Sequence, residues 1–463
     1  MSEVKVNKIS PRSGTTVTLG DSGDTFTIPS GATINNQGTA TNFGATGSAS
    51  WNTTVKTSTF TAVAGEGYFV NTTGGAVSVN LPAGTAGAVV AVKDYANTFD
   101  TNACTLVQNG SDKIGGLTDN SILSTEGIAV TLVYVDSTQG WLVTDSGLQD
   151  EAPGPQFITA TGGTITTVCT NFKVHTFTGP GTFTVCSTGN AAGSNTVDYL
   201  VVAGGGGGAK TGGASYAAAG GGGAGGFRES PGTASGSYSV SPLGTSPAVA
   251  LSVPATSYPI TVGAGGSGGT GSGGAGGGSI GSSGSNSIFS TITSTGGGRG
   301  GNYDGDANDG GSGGGAANGS SPTGGNGNTP SVSPAQGNDG GDRPTGDGGA
   351  GGGGATVSGS NVSSNAGAAG GVGATTSINA TPTAYAGGAG GGGYGTSGGS
   401  GGTGGGGAGG GQTGPGSTST AGTAGTTNTG GGGGSGGGTQ TQPTGGAGGS
   451  GGSGIVIIRY KFQ

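Results

Sequence analysis

Val197-Asp198-Tyr199-Leu200-Val201-Val202-Ala203 runs without a break into Gly204-Gly205-Gly206-Gly207-Gly208. The first seven residues read as a buried strand, because they form a short apolar run rich in β-branched and aromatic residues. The glycines after them offer no side chains to bury. From Leu200 onward glycine dominates, until the chain closes on Ile455-Val456-Ile457-Ile458-Arg459-Tyr460-Lys461-Phe462, a second strand of the same character. Two such strands are expected to pair and bury each other, so that the region between them is an excursion with both ends at one base. Tyr258–Val262 and Ser287–Ile292 are expected to complete that base, with the rest projecting outward.

The chain has 122 glycines in 463 residues, hydrophobic residues at 29% and charged residues at 7%. Ordinary globular proteins carry about 7% glycine and about 25% charge. Disorder is normally kept soluble by charge or proline, and here both are scarce. Collagen needs glycine strictly at every third position, a period this chain lacks, and its 18 prolines are too few. Glycine is then expected to serve as a packing residue. A threefold helix of the polyproline II kind has no internal hydrogen bonds and rises about 3.1 Å per residue. With glycine at inward positions, such helices can approach backbone to backbone and hydrogen-bond laterally. Glycine loses much entropy on ordering, so only a cooperative array is stable. Gly348–Gly354, Gly387–Gly393 and Gly401–Gly411 are long enough to take part. The segments between such runs, Asn302–Asp309, Ser320–Arg343, Ala355–Ala386, Gln412–Thr429 and Thr439–Thr444, gather Asn, Asp, Thr, Pro and Tyr and are expected to be connecting loops.

Toward the N-terminus the pattern changes. Residues 1–50 hold bursts such as Val4–Val6, Thr16–Leu19, Thr25–Ile28 and Ala32–Ile34. Strands this short are marginal in one chain; several copies wrapping into an intertwined shaft would cover them, the alternative being a flexible leader. Residues 51–150 carry better-formed strands: Ser58–Ala64, Tyr68–Asn71, Ala76–Leu81, Val89–Asp94, Thr105–Gln108, Ile128–Val135 and Trp141–Thr144. Their alternation and spacing suit a β-sandwich or jelly roll. Residues 151–196 are expected to be a linker and a small β domain, and 197–463 the glycine-rich domain. Helical periodicity is nearly absent, so the fold class is all-β. Within 151–196, Gly179-Pro180-Gly181 is expected to turn a hairpin, with Phe177 facing Phe183 and His175 facing Val185. That register sets Cys169 and Cys186 out of line, and with three cysteines in all, free thiols are expected.

The formal net charge is −8, from 13 basic and 21 acidic residues, and no basic cluster exists to meet phosphates. Nucleic acid is therefore not an expected partner, nor is membrane insertion, since no apolar run approaches about 20 residues. Met1–Arg12 has no apolar core like that of a signal peptide. The expectation is a protein that stays where it is made or leaves within an assembled particle.

Lys173-Val174-His175-Thr176-Phe177-Thr178, Gly181-Thr182-Phe183-Thr184-Val185 and Val197–Gly206 together resemble the opening of the glycine-rich domain of phage tail fibres. Gly220–Arg228, Ile260–Gly266 and Gly454–Tyr460 resemble it too. Val6–Gly20 is similar to the leader of virion structural proteins in phages of marine bacteria, especially cyanobacteria. The resemblance implies a homotrimeric tail fibre or adhesin with packed polyglycine helices and variable loops at its tip. Residues 1–50 would dock on a virion tail or baseplate protein, and the glycine-rich domain would meet a host surface receptor, a glycan or an outer-membrane protein. It also implies a virion location, after synthesis in the host cytoplasm and release by lysis. The alternative is a purely structural appendage, such as a capsid-decorating or connector fibre; a secreted glycine-rich matrix protein is a third reading.

Little in the sequence suggests chemistry. His175 is the one histidine, so a histidine triad or multi-histidine metal site within one chain is ruled out. Asp304-Gly305-Asp306-Ala307-Asn308-Asp309 begins like a calcium loop but lacks glycine at its sixth position and a carboxylate at its twelfth, where Gly315 stands. Gly-x-Gly-x-x-Gly matches carry no weight in this composition. Capsule hydrolysis would need paired carboxylates, and the acidic residues are scattered. No enzymatic activity, cofactor or metal is expected. Tyrosine and arginine favour recognition surfaces, so the candidate receptor-binding residues are Tyr303, Asp304, Arg343, Tyr385 and Tyr394, the bland reading being that they cover the edge of the glycine array.

Overall fold

A computed structural model describes residues 9–11, 13–17, 25, 27, 49–148, 155–190, 193–212, 218–236, 238–270, 278–303, 305–317, 322–412, 418–439 and 445–463. The bursts expected between Val4 and Ile34 fall largely outside them. The described residues are all-β, without helix, and the chain divides into two compact units, Met1–Pro153 and Gly154–Gln463.

The first unit is two facing sheets. One takes β1 (Ser50–Lys56), β3 (Glu66–Val70), β5 (Val89–Asp94), β8 (Ile128–Tyr134) and β9 (Trp141–Leu148), in that spatial order. The other takes β2 (Phe60–Thr61), β4 (Val77–Asn80), β6 (Cys104–Val107) and β7 (Ser121–Leu123). Strands β1 and β7 have no counterpart among the expected strands. The chain crosses to the other sheet after each of its first five strands, and β1, β3 and β5 are parallel, as are β2, β4 and β6. Only the last pairings of each sheet are antiparallel, which is not the antiparallel order of a jelly roll. Alternation along each strand sends Tyr68, Val70, Val77, Val79, Val90, Val92, Leu106, Leu132 and Trp141 into one core. The buried Asp94 carboxylate ties a corner, accepting from the backbone N–H of Phe99 (3.1 Å) and Gly127 (3.0 Å).

The second unit starts from two more sheets. The order β10 (Thr159–Thr161), β13 (Gly181–Ser187), β17 (Ser257–Thr261), β18 (Ser287–Phe289), β19 (Ile292–Ser294) makes one. The order β11 (Thr164–Val168), β12 (Phe172–Phe177), β22 (Ile455–Lys461), β14 (Thr196–Val202), β15 (Phe227–Glu229) makes the other. The bracketing strands pair as expected: β14 and β22 are antiparallel, from Asp198↔Arg459 to Val202↔Ile455. The expected hairpin does not form. Strand β12 pairs with β11 and β22, and β13 with β10 and β17, so Gly179-Pro180-Gly181 carries the chain from one sheet to the other. The reason is burial. Facing each other across two layers, Phe177, Phe183 and Val185 share a core with Val201, Ile260, Phe289, Ile458 and Tyr460, which one flat hairpin could not supply. The His175 and Phe183 rings meet edge to face at 5.0 Å. Residues 155–190 thus belong to the same base as β14 and β22. Cys169 and Cys186 are free and exposed; Cys104 is free and buried, and burial pushes its thiol up to about 12.

Beyond the base lies the glycine-rich part. Its runs carry almost no strand of their own; their backbone bonds go sideways. Gly204, Gly207 and Lys210 donate to Ser285, Ser282 and Ser279; Gly205 and Gly208 donate to Gly452 and Gly449; Gly206 donates to Gly223. Successive residues address three different neighbours, and each neighbour is met again three residues later. The same repeat recurs inside the unit: Gly349, Gly352 and Ala355 donate to Gly392, Ala389 and Ala386, and Gly387, Gly390 and Gly393 to Gly404, Gly407 and Gly410. At the glycine positions of closest approach no side chain fits. A Cβ on Gly222 would stand 2.1 Å from the Gly206 carbonyl oxygen, and one on Gly352 2.1 Å from that of Gly222. At the periphery the run Gly263–Thr270 shows where side chains are allowed: Ala264, Ser267 and Thr270, three apart, are exposed, while Gly263, Gly266 and Gly269 are buried.

Candidate recognition surface

Lateral hydrogen bonds define which run ends share a side. Near β14 and β22, Ala203 donates to Gly226, Gly454 to Gly263, Ala386 to Thr429 and Gly430 to Ser453. At the far end, Thr211 donates to Gly446, Ala218 to Asp347, Gly220 to Gly301, Gly301 to Gly315, Ala316 to Gly341, Gly349 to Gly392 and Tyr394 to Asn365. The turns after Gly301, Gly341 and Gly393 therefore open on one far face of the unit, and these carry Tyr303, Arg343 and Tyr394. Tyr385, in β21 (Thr383–Tyr385) beside β20 (Ala374–Thr376), lies at the base end instead.

Among the three far-end side chains, exposure differs. Tyr303 is 47% exposed, on a tight turn closed by the Asn302 N–H on the Gly305 carbonyl (2.9 Å), with the Asn302 amide anchored on Gly278 (2.7 Å). Around that turn stand Ile280, 44% exposed, and Arg299, whose pKa is lowered by burial against the opposing pull of Asp306. Asp304 lies outside the described residues. Arg343 donates from its guanidinium to its own neighbour Asp347 at 3.4 Å and is mostly covered. Tyr394 is buried, bridged to Gly438, and Tyr385 is buried among Phe227, Ile378 and Ile457, its phenol pKa raised by that burial. Residue type selected these two tyrosines; packing uses them.

The reading by residue type passed over a groove of about 540 Å³ near Tyr394, walled by glycine backbone and by Thr396, Ser397, Gln412 and Thr420. Among the described residues no charged side chain lines it. Isolated serine and threonine in glycine runs give no local signal of a groove, since it forms where separate runs meet.

Charge sits elsewhere. Asp198 and Arg459 are register partners inside the base, both fully buried. Asp198 accepts from the Ser230 hydroxyl (2.9 Å) and the Ser235 N–H (2.8 Å). Glu229 accepts from the Ser241 N–H (2.9 Å) and the Thr376 hydroxyl, and burial raises its pKa despite those bonds. Arg459 donates to Ile378 (3.1 Å) and lies over the Phe172 and Tyr238 rings. Every one of these groups is enclosed, so the cluster fastens β14, β15, β20 and β22 together. His175 is likewise enclosed, between the Gly162 carbonyl (2.8 Å) and the Tyr460 hydroxyl (3.1 Å), and burial lowers its pKa. In the calcium-like segment, Asp309 accepts the Asn326 N–H at 2.6 Å. Among the described residues no group of three or more His, Cys, Asp or Glu is arranged to hold a metal, and no helix is long and apolar enough to cross a membrane.

The arrangement defines an all-β protein whose second unit is built on close-packed glycine. A family model for a glycine-rich domain matches residues 176–461, and the chain belongs to that family. No curated protein matches the chain.

Proposed function

We propose that the chain is a non-enzymatic fibre or adhesin subunit of a virus particle, a phage tail fibre, that attaches to a host surface receptor through the far face of its glycine-rich unit. The glycine runs are threefold helices of the polyproline II kind, and residues 1–50 form a shaft in a homotrimer that docks on the tail or baseplate. The helix reading is supported by the three-residue repeat of the lateral hydrogen bonds. The observation that carries the attachment reading is the gathering of run-to-run turns at the end away from the base, with Tyr303 exposed there on a rigid support. Loops on a rigid scaffold are where recognition concentrates. The enclosed charges and the uncharged groove suit adhesion to a neutral or weakly charged surface group better than catalysis.

The test is binding of labelled full-length protein to candidate bacterial cells, marine cyanobacteria first, beside Tyr303→Ala and Thr396→Ala/Gln412→Ala. Saturable binding that weakens by about tenfold in either variant supports attachment through this face. A folded trimer that binds no cell saturably turns the reading to a structural appendage.

A further inference from the structure

A backbone-bonded array has the same hazard as an open sheet: its outermost run presents N–H and C=O groups that another run could use. Side chains occupy several of those positions. The Thr420 hydroxyl accepts the Gly411 N–H at 2.8 Å, and the Thr423 hydroxyl accepts the Ala408 N–H at 2.6 Å; each also donates back to the carbonyl of the same residue. The two pairs sit three residues apart along both runs, in step with the backbone bonds from Thr420 to Gly411 and Thr423 to Ala408. On another rim Asp339 accepts the Gly327 N–H (2.7 Å) and Asp342 the Gly324 N–H (2.9 Å), again three apart. On a third, Ser282 accepts the Ser267 N–H (2.9 Å) and Ser450 the Gly268 N–H (3.3 Å). All six accepting side chains stand at the exposed or half-buried rim. Inside the unit the same N–H positions, such as those of Gly206 and Gly222, go to carbonyls of neighbouring runs.

We infer that these hydroxyl and carboxylate groups are self-caps that end the glycine array, and that without them the rim accepts a glycine run from a second copy of the chain. The partner follows from the chemistry. Only another bare backbone can approach closely enough to replace a side-chain acceptor with a carbonyl at the three-residue repeat, and the chain's own runs have that form.

The experiment compares full-length wild type, Thr420→Val/Thr423→Val and Thr420→Ser/Thr423→Ser. Valine keeps the shape and removes the hydroxyl; serine keeps the hydroxyl. Amide exchange at Ala408 and Gly411 is expected to quicken about tenfold in the valine pair, as for loss of one hydrogen bond, and to stay near wild type in the serine pair. Light scattering is expected to give the valine pair a mass that rises with concentration above a constant wild-type value, with protection at Gly205–Gly208 retained. Three results overturn the inference: quickened exchange with wild-type mass, unchanged exchange, or heavier species that have lost protection at Gly205–Gly208. Should the valine pair fail to fold, Asp339→Ala/Asp342→Ala carries the same expectation, read at Gly327 and Gly324.

Discussion

The two units reach a dry interior by opposite means. In the first, side chains do it: Val92, Leu132 and Trp141 are buried by alternation along paired strands, and Phe99 joins them from the turn after β5. In the second, beyond the base, the interior is backbone. Gly204–Gly208, Gly220–Gly226 and Gly431–Gly438 are buried with little but amides to bury, the Ala224 methyl and the Ser435 hydroxyl being the side chains among them. Every amide but that of Gly431, which turns to the Thr429 hydroxyl, finds a carbonyl on a neighbouring run. Apolar transfer favours the first kind of core. The second depends on satisfying every polar group at close approach, where a missed partner is costly. A side-chain core is hurt by removing a methyl group, whereas a backbone core is hurt by adding one.

That contrast can be broken in four places, in falling order of effect. Gly222→Ala puts a Cβ 2.1 Å from the Gly206 oxygen, among runs that cannot move without losing their own bonds. It is expected to cost more than about 3 kcal/mol and to strip amide protection from the glycine-rich unit. Both tryptophans, Trp51 and Trp141, are in the first unit, so their fluorescence should report an unchanged transition there. Leu132→Ala is the converse experiment. It should lower that tryptophan-reported transition by about 2–4 kcal/mol and leave protection at Gly204–Gly208 intact.

Glu229→Gln tests the enclosed carboxylates of the base. Burial raises the folded-state pKa of Glu229, so its contribution to stability is present in acid and is lost as pH rises through that raised value. The glutamine variant should therefore flatten this part of the pH dependence in urea unfolding read by the second unit. A decline with pH as steep as in wild type would show that another group causes it. The smallest effect belongs to Gly179→Ala, where the added Cβ meets nothing within 4 Å. The change is expected to stay within about 0.5 kcal/mol, which separates close packing from glycine content as the source of the Gly222 effect.

The parts of the fold that were legible are those with apolar strands long enough to specify a partner. The pairing of β14 with β22 follows from two matched runs flanking everything between them. The β12–β13 hairpin was misread because Gly179-Pro180-Gly181 announces a reversal without saying whether the chain returns beside itself or crosses to a facing layer; the strands that decide it, β17 and β22, lie far along the chain. The parallel winding of the first unit escaped for the same reason, since inward alternation looks alike in either direction. At the far face, Tyr303 could be proposed from residue type and loop context. Tyr385 and Tyr394 look no different locally, yet their burial is set by Phe227, Ile457 and Gly438, residues that only the folded array brings near. The groove at Thr396 and Gln412 has no sequence signature, because neighbouring runs rather than a motif create it.

Amide hydrogen exchange across Gly204–Gly208, Gly387–Gly393 and Gly431–Gly438 in the full-length protein tests the backbone core most directly. If lateral hydrogen bonds hold these runs, their amides exchange as slowly as those of Val201 and Ile457 in the paired strands of the base. Exchange at the rate of unstructured glycine, with Val201 and Ile457 still protected, would mean that the runs are not bonded to one another, and the account of the glycine-rich unit would be wrong.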